Sequence, residues 1–173
     1  MGRKKVLILA VIAVVCAAAY FWSRAVYEEK YDAYYNARLA EYLSENYSAG
    51  TLQARVAINT NQTEYNHLGT DISFVHTCNG KEVSSGSVVP MRKQMTFETT
   101  ITEYDDSKSD TGAGSVVVCP SLTSYKGRET MSITVRERGG TKYKQAYAKW
   151  EITVAVEPVI NLPPAKYWDV VFS

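Results

Sequence analysis

The chain is predicted to be mainly β: an antiparallel β-sandwich of seven or eight strands behind an N-terminal transmembrane and stalk helix. Three observations carry that prediction. Residues 6 to 22, VLILAVIAVVCAAAYFW, contain no charged side chain and directly follow Arg3, Lys4 and Lys5. Residues 24 to 48, RAVYEEKYDAYYNARLAEYLSENYS, contain no Gly or Pro and are rich in Ala, Glu, Leu and Tyr. From Thr51 onward the apolar period drops to two, in short runs full of Val, Ile and Thr.

Bulk composition sets the frame. With 173 residues, 46% hydrophobic and 21% charged, the chain has room for one domain plus an appendage. A formal net charge of +1 provides no global field for nucleic acid, so no nucleic-acid partner is expected.

Residues 1–5 form a basic flank, and residues 6–23 a signal anchor that crosses the membrane. As a helix, the uncharged run would span about 25 Å, near the lower limit for a bilayer core. Cations precede it, while only Arg24, Glu28 and Glu29 follow closely. The positive-inside rule therefore puts the basic flank in the cytoplasm and the rest of the chain outside a cell membrane. Phe21 and Trp22 stand where an aromatic belt belongs. The rival reading is a cleaved signal, because Ala17-Ala18-Ala19 resembles a signal-peptidase site and would give a secreted protein. Bulky Tyr20, Phe21 and Trp22 continue the apolar run past such a cut, which favours the anchor.

Residues 24–50 are expected to continue as an amphipathic stalk helix ending at Ala49-Gly50. Tyr27, Tyr31, Tyr34 or Tyr35, Leu39 and Tyr42 recur at helical spacing and form one stripe, read as packing on the protein's own domain. The β-sandwich occupies residues 51–157. Its strands are expected in TLQARVAIN, DISFVHTC, KEVSSGSVV, QMTFETTITE, GSVVVC, TMSITVRER and QAYAKWEITVAV. Asn79-Gly80 and Gly139-Gly140 are hairpin signals between such runs. Trp150, Ile152, Val154 and Val156 give one face of a long strand to the core. Residues 158–173 form a C-terminal extension opened by Pro158, Pro163 and Pro164, in which KYWDVVF is a candidate edge strand.

Cys16 lies in the apolar run, leaving Cys78 and Cys119 at the ends of strand-like segments. In an exported domain these two are expected to form a disulfide, closing about 40 residues and contributing roughly 4 kcal/mol. Asn46-Tyr47-Ser48 and Asn61-Gln62-Thr63 match the glycosylation sequon.

The stretch ITEYDDSKSDTGAGSVV, residues 101–117, crowds Glu103, Asp105, Asp106 and Asp110 between two strand-like runs. Only Lys108 offsets them locally. Calcium takes six to eight oxygen ligands, several of them carboxylates, from a loop that wraps it. Asp106 follows Asp105 directly, so in an extended segment it points the other way.

This pattern resembles the C-two family of calcium- and lipid-binding β-sandwiches. In that family one apical loop carries acidic residues two apart, another acidic residue, and then glycine before the next strand. Glu103, Asp105, Asp110 and Gly112 match those places, and Asp71 before Ile72-Ser73-Phe74-Val75 matches an aspartate of a second apical loop. The resemblance covers residues 51–157. It implies a weak calcium site with Asp71, Glu103, Asp105 and Asp110 as ligands. This chain departs in having Glu as the first acid and a loop one residue shorter.

No catalytic motif appears. There is no Gly-x-Ser-x-Gly elbow, phosphate-binding glycine loop or paired His-Glu helix motif. His76 shares a strand face with Phe74 and Cys78 and reads as a packed histidine; His67 reads as a loop residue near Asp71. The expectation is therefore not an enzyme. It is a membrane-anchored extracytoplasmic binding module, held to the membrane by its N-terminal helix, with a protein, glycan or lipid partner at the apical loops. The alternative is a structural or assembly protein of a cell-surface complex that packs through the same helix.

Overall fold

The computed structural model describes residues 3–104, 109–137 and 146–173. The expected Gly139-Gly140 turn and the acidic residues Asp105 and Asp106 lie outside the described residues. Backbone contacts divide the chain into two compact units, Met1–Ser44 with Asn161–Ser173, and Glu45–Ile160.

The first unit is built on α1, a single helix from Arg3 to Ser48. From Arg3 onward the basic residues, the apolar run and the stalk are thus one uninterrupted helix of about 69 Å. Over Val11–Ser48 it is long and apolar enough to span a membrane or serve as a signal anchor, by length and composition. Its most apolar stretch is only 6% buried, so protein does not cover it.

Against α1 lies the C-terminal segment. Asn161 donates its backbone N–H to the Tyr42 hydroxyl at 3.3 Å. Tyr167 donates its hydroxyl to Ser23 Oγ at 2.9 Å, and its ring stacks on Tyr27 with centroids 4.7 Å apart. Lys30 Nζ donates to the Ser173 carbonyl at 2.8 Å. Six extended residues reach about 20 Å, the distance a helix rises over 13 to 14 residues. The segment therefore runs back along the helix as a strap. The expected edge strand in KYWDVVF is instead a short helix, α2 (Tyr167–Val171). Part of the tyrosine stripe holds the strap, and along α1 Tyr31 lies tilted against Tyr27 at 5.2 Å and stacks on Tyr35 at 6.0 Å.

The end of α1 belongs to the second unit and is closed by Gly50 at φ +71°, a left-handed conformation suited to glycine. Gly50 N–H bonds to the Tyr47 carbonyl and Thr51 N–H to the Asn46 carbonyl, the paired bonds of a Schellman cap. Leu52 follows, fully buried.

Among the described residues, eight strands then form two antiparallel sheets of four. The strands are β1 (Gln53–Asn66), β2 (Ile72–Cys78), β3 (Lys81–Val83), β4 (Val88–Pro90), β5 (Met95–Glu103), β6 (Asp110–Val118), β7 (Gly127–Arg136) and β8 (Tyr147–Pro158). The sheet orders are β4-β1-β8-β7 and β3-β2-β5-β6. Asn79 and Gly80 both take positive φ, 49° and 77°, and turn β2 into β3 as the sequence predicts. KEVSSGSVV, expected as one strand, splits at Gly86 (φ +94°) into β3 and β4, which join different sheets.

In the first sheet β8 is central. It buries Ala148, Trp150, Ile152, Val154 and Val156 in alternation, flanked by Val56 of β1 and Met131, Ile133 and Val135 of β7. In the second sheet the inward rows run Cys78–Phe97–Val116, His76–Thr99–Gly114, Phe74–Ile101–Gly112 and Ile72–Glu103–Asp110. Phe74 of the second sheet and Trp150 of the first meet edge to face, with ring centroids 6.0 Å apart.

β6 approaches β7 so closely that a Cβ at Gly112 would lie 2.6 Å from the Thr134 carbonyl oxygen. A Cβ at Gly114 would lie 2.8 Å from Ile133 Cγ1. The glycines of DTGAGS therefore serve close packing within a strand. Gly112→Ala forces backbone apart and should lower stability by about 1–3 kcal/mol. Ser115→Ala, exposed on the same strand, should stay within about 0.5 kcal/mol of wild type. Denaturant titration of the pair measures both.

Candidate functional site at the distal loops

Following each strand outward from Gly50 brings three connections to the far end of the β unit. Among the described residues these are 67–71 after β1, Tyr104 and Ser109 at the base of the β5–β6 connection, and Glu137 and Ala146 at the base of the β7–β8 connection. Pairing across the sheets ties their bases together: His67 bridges Tyr147, Arg136 pairs Tyr147, and Glu103 pairs both Ile72 and Asp110. Tyr104 N–H donates to the Asp71 carbonyl at 2.9 Å, joining the first two loops.

The rim is aromatic and charged. Tyr65 is 56% exposed and donates its hydroxyl to the Leu68 carbonyl at 2.6 Å. Leu68 is buried and so pins the loop from below. His67 takes φ +55°, a left-handed conformation uncommon outside glycine, asparagine, aspartate and histidine. Tyr104 is 49% exposed. The Arg136 guanidinium stands over the Tyr147 ring at 5.4 Å, and Glu64 accepts from the Tyr147 hydroxyl and from Lys149 Nζ, each at 3.3 Å. Composition alone does not reveal this rim, because its tyrosines and Arg136 are scattered over more than 80 residues of sequence. The signal that could have located it is the alternation: Tyr65, Tyr104 and Tyr147 each fall at a strand end.

Of the four expected calcium ligands, the structure places three. Asp71 is exposed at the loop before β2. Glu103 and Asp110 face each other as the last cross-strand pair of β5 and β6, and both are buried, at 3% and 4% exposure. They belong to the inward face of the sheet, continuing the row of Phe97, Thr99 and Ile101, and do not project from a loop. Gly69 lies directly on the Glu103 carboxylate, where any Cβ would overlap Oε1. Asp105 lies outside the described residues. Among the described residues no group of three or more His, Cys, Asp or Glu side chains is arranged to hold a metal ion.

The expected disulfide does not form. Cys78 and Cys119 are free thiols, Cys78 buried and Cys119 exposed. Cys78 ends β2 and Cys119 follows β6, and these strands flank β5 on opposite sides. Two strand spacings separate them by about 9–10 Å, beyond the roughly 7 Å Cα limit for a bridge. They also lie on opposite faces, since Cys78 aligns with buried Phe97 while Cys119 follows inward-facing Val118. Strand-end position in the sequence carries no information on which strands are neighbours.

His76 sits inside the second sheet. Its Nδ1 shares a 2.8 Å hydrogen bond with Oγ1 of fully buried Thr99, and its ring lies parallel to Phe74. Burial lowers its pKa from the usual 6.5. Burial likewise raises the pKa of the Cys78 thiol. His76 is half-buried within the sheet, and Cys78 lies at the edge of a shallow groove with Asn79, Lys81, Val89, Pro90 and Arg92.

Comparison with protein-family models, with curated proteins and with solved structures finds no match to the chain.

Two outcomes follow. Because the folded-state pKa of His76 lies below its unfolded value, the unfolded chain takes up the proton first. His76 burial therefore costs no stability at neutral pH, and stability falls as pH drops through 6.5 toward the lower folded value. The wild-type unfolding midpoint should fall between about pH 7.5 and 5.5, and His76→Asn should flatten that part of the profile. Alkylation of the native protein should modify Cys119 rapidly and Cys78 only on unfolding, read by peptide mass mapping.

Proposed function

We propose that the chain is a single-pass membrane protein whose β unit is a β-sandwich binding module held outside the cytoplasm. It is not an enzyme, and it meets a polar partner, protein or glycan, at its distal loops. The observation that carries this reading is the gathering of Tyr65, His67, Asp71, Tyr104 and Arg136 at one end of the β unit. Exposed tyrosine with adaptable polar neighbours is the composition of recognition surfaces, since tyrosine offers large contact area with few torsions to freeze. The sandwich assignment is supported by the Phe74–Trp150 contact and the seating of Ile133 over Gly114. The orientation is supported by Arg3, Lys4 and Lys5 before the uncharged run, on one continuous helix.

Protease added to intact cells should remove the β unit and leave a membrane-bound stub from α1. Protection of the β unit would reverse the orientation, and release of a shortened chain into the medium would establish signal cleavage. A photoreactive residue at Tyr104 should crosslink a partner in native membranes. The same residue at Val75, 44% exposed away from the distal end, should not. Equal capture at both positions would remove the distal loops from the reading.

Calcium is a second reading, favoured by the placement of Asp71, Glu103 and Asp110 around one sheet end. On that reading calcium, and not magnesium, raises the thermal midpoint of the full chain, and Asp105→Asn abolishes the rise. At a hundredfold excess over the dissociation constant the gain is about 2.7 kcal/mol. A wild-type midpoint indifferent to calcium leaves the acidic end as a structural feature of the sheet.

A further inference from the structure

The strap helix α2 is apolar on both sides. Tyr167, Val170 and Val171 are its inward residues: the two valines are 0% and 3% exposed, and Tyr167 is held by Tyr27 and Ser23. Trp168 and Phe172, one turn apart, stack at 5.6 Å and are left 57% and 75% exposed. Asp169 is the only charged residue in the helix. Two large aromatic side chains held side by side on an ordered turn form an apolar patch that water solvates poorly.

The position of that patch identifies what covers it. Trp168 and Tyr167 line an open groove of about 600 Å³ with Cys16, Ala19, Tyr20 and Ser23 of α1. This groove sits at the C-terminal end of the uncharged run, where Tyr20, Phe21 and Trp22 are 58%, 68% and 59% exposed. Aromatic residues from opposite ends of the sequence thus share one level along α1. Arg24 follows immediately on the polar side, with Glu28, Glu29 and Lys30 beyond it. Trp and Tyr concentrate at the headgroup level of bilayers because their rings are apolar with one polar edge.

We propose that α2 is an interfacial membrane anchor. Trp168 and Phe172 enter the headgroup–acyl boundary of the bilayer that α1 crosses, beside Tyr20, Phe21 and Trp22. The occupant of the patch is a lipid surface, because the patch is continuous with the uncovered apolar surface of α1. The proposal rests on the reading of α1 as a membrane-crossing helix. It makes the C-terminal strap a second attachment, so that α1 is fixed in depth by aromatics on two independent segments.

The chain has three tryptophans, so each can be isolated. The full chain with Trp22→Phe and Trp150→Phe, reconstituted in phosphatidylcholine vesicles, reports on Trp168 alone. Vesicles carrying bromine high on the acyl chains should quench its fluorescence at least about twofold and shift its emission to shorter wavelength, as expected for a ring buried at the boundary. The difference between wild type and Trp168→Phe gives the same readout with Trp150 in place. A companion chain with Trp150→Phe and Trp168→Phe reports on Trp22. Quenching of Trp22 but not Trp168 overturns the proposal while leaving α1 in the membrane. Trp168 that is shielded from aqueous iodide yet untouched by bromine is covered by protein, a second copy or another chain, and this also overturns it. If neither residue is quenched, the membrane-crossing reading falls and the anchor falls with it.

Discussion

The close approach of β6 to β7 is the constraint on which the β unit depends. Gly112 and Gly114 remove the side chains that would hold the strands apart, and Ile133, Thr134 and Met131 occupy the space. Here a strand of the second sheet touches a strand of the first. β6 in turn pairs in register with β5, from Phe97 opposite Val116 to Glu103 opposite Asp110. The same alternation that buries Ile101 must also bury Glu103, two residues on, and Asp110 opposite it. The buried carboxylates are thus a consequence of strand parity at the end of a core row.

The helical unit obeys a different rule. An uncharged run with little protein over it has to find an apolar environment, whereas the tyrosine half of α1 is amphipathic and can be covered by chain. The strap does that with few residues: Tyr167 on Tyr27, the Tyr167 hydroxyl on Ser23, and Lys30 on the last carbonyl. Ser23 is 4% exposed and passes the bond on to the Tyr20 carbonyl, so the polar group at the end of the apolar run is satisfied internally. Aromatic stacking and polar tips let tyrosine serve both as packing and as hydrogen-bond partner.

At the distal end, the described bases of three connections from distant parts of the chain are joined through main-chain pairing. His67 in a left-handed conformation and Leu68 buried beneath Tyr65 show how firmly the first of these loops is seated.

Much of this architecture was legible in the sequence because it depends on local period. The uncharged run, the Gly-free stalk ending at Gly50, the seven alternating segments and the Asn79-Gly80 turn all express the spacing of neighbouring residues, which backbone geometry fixes without help from distant chain. Tertiary structure alone decided which strands became neighbours. It put β5 between Cys78 and Cys119 and left both thiols free, split KEVSSGSVV between two sheets, and turned KYWDVVF from a candidate strand into a helix against α1. It also turned Glu103 and Asp110 inward and collected the tyrosine rim. Each of these outcomes depends on contacts between residues far apart in the chain, and a local pattern holds no record of which distant surface will cover it.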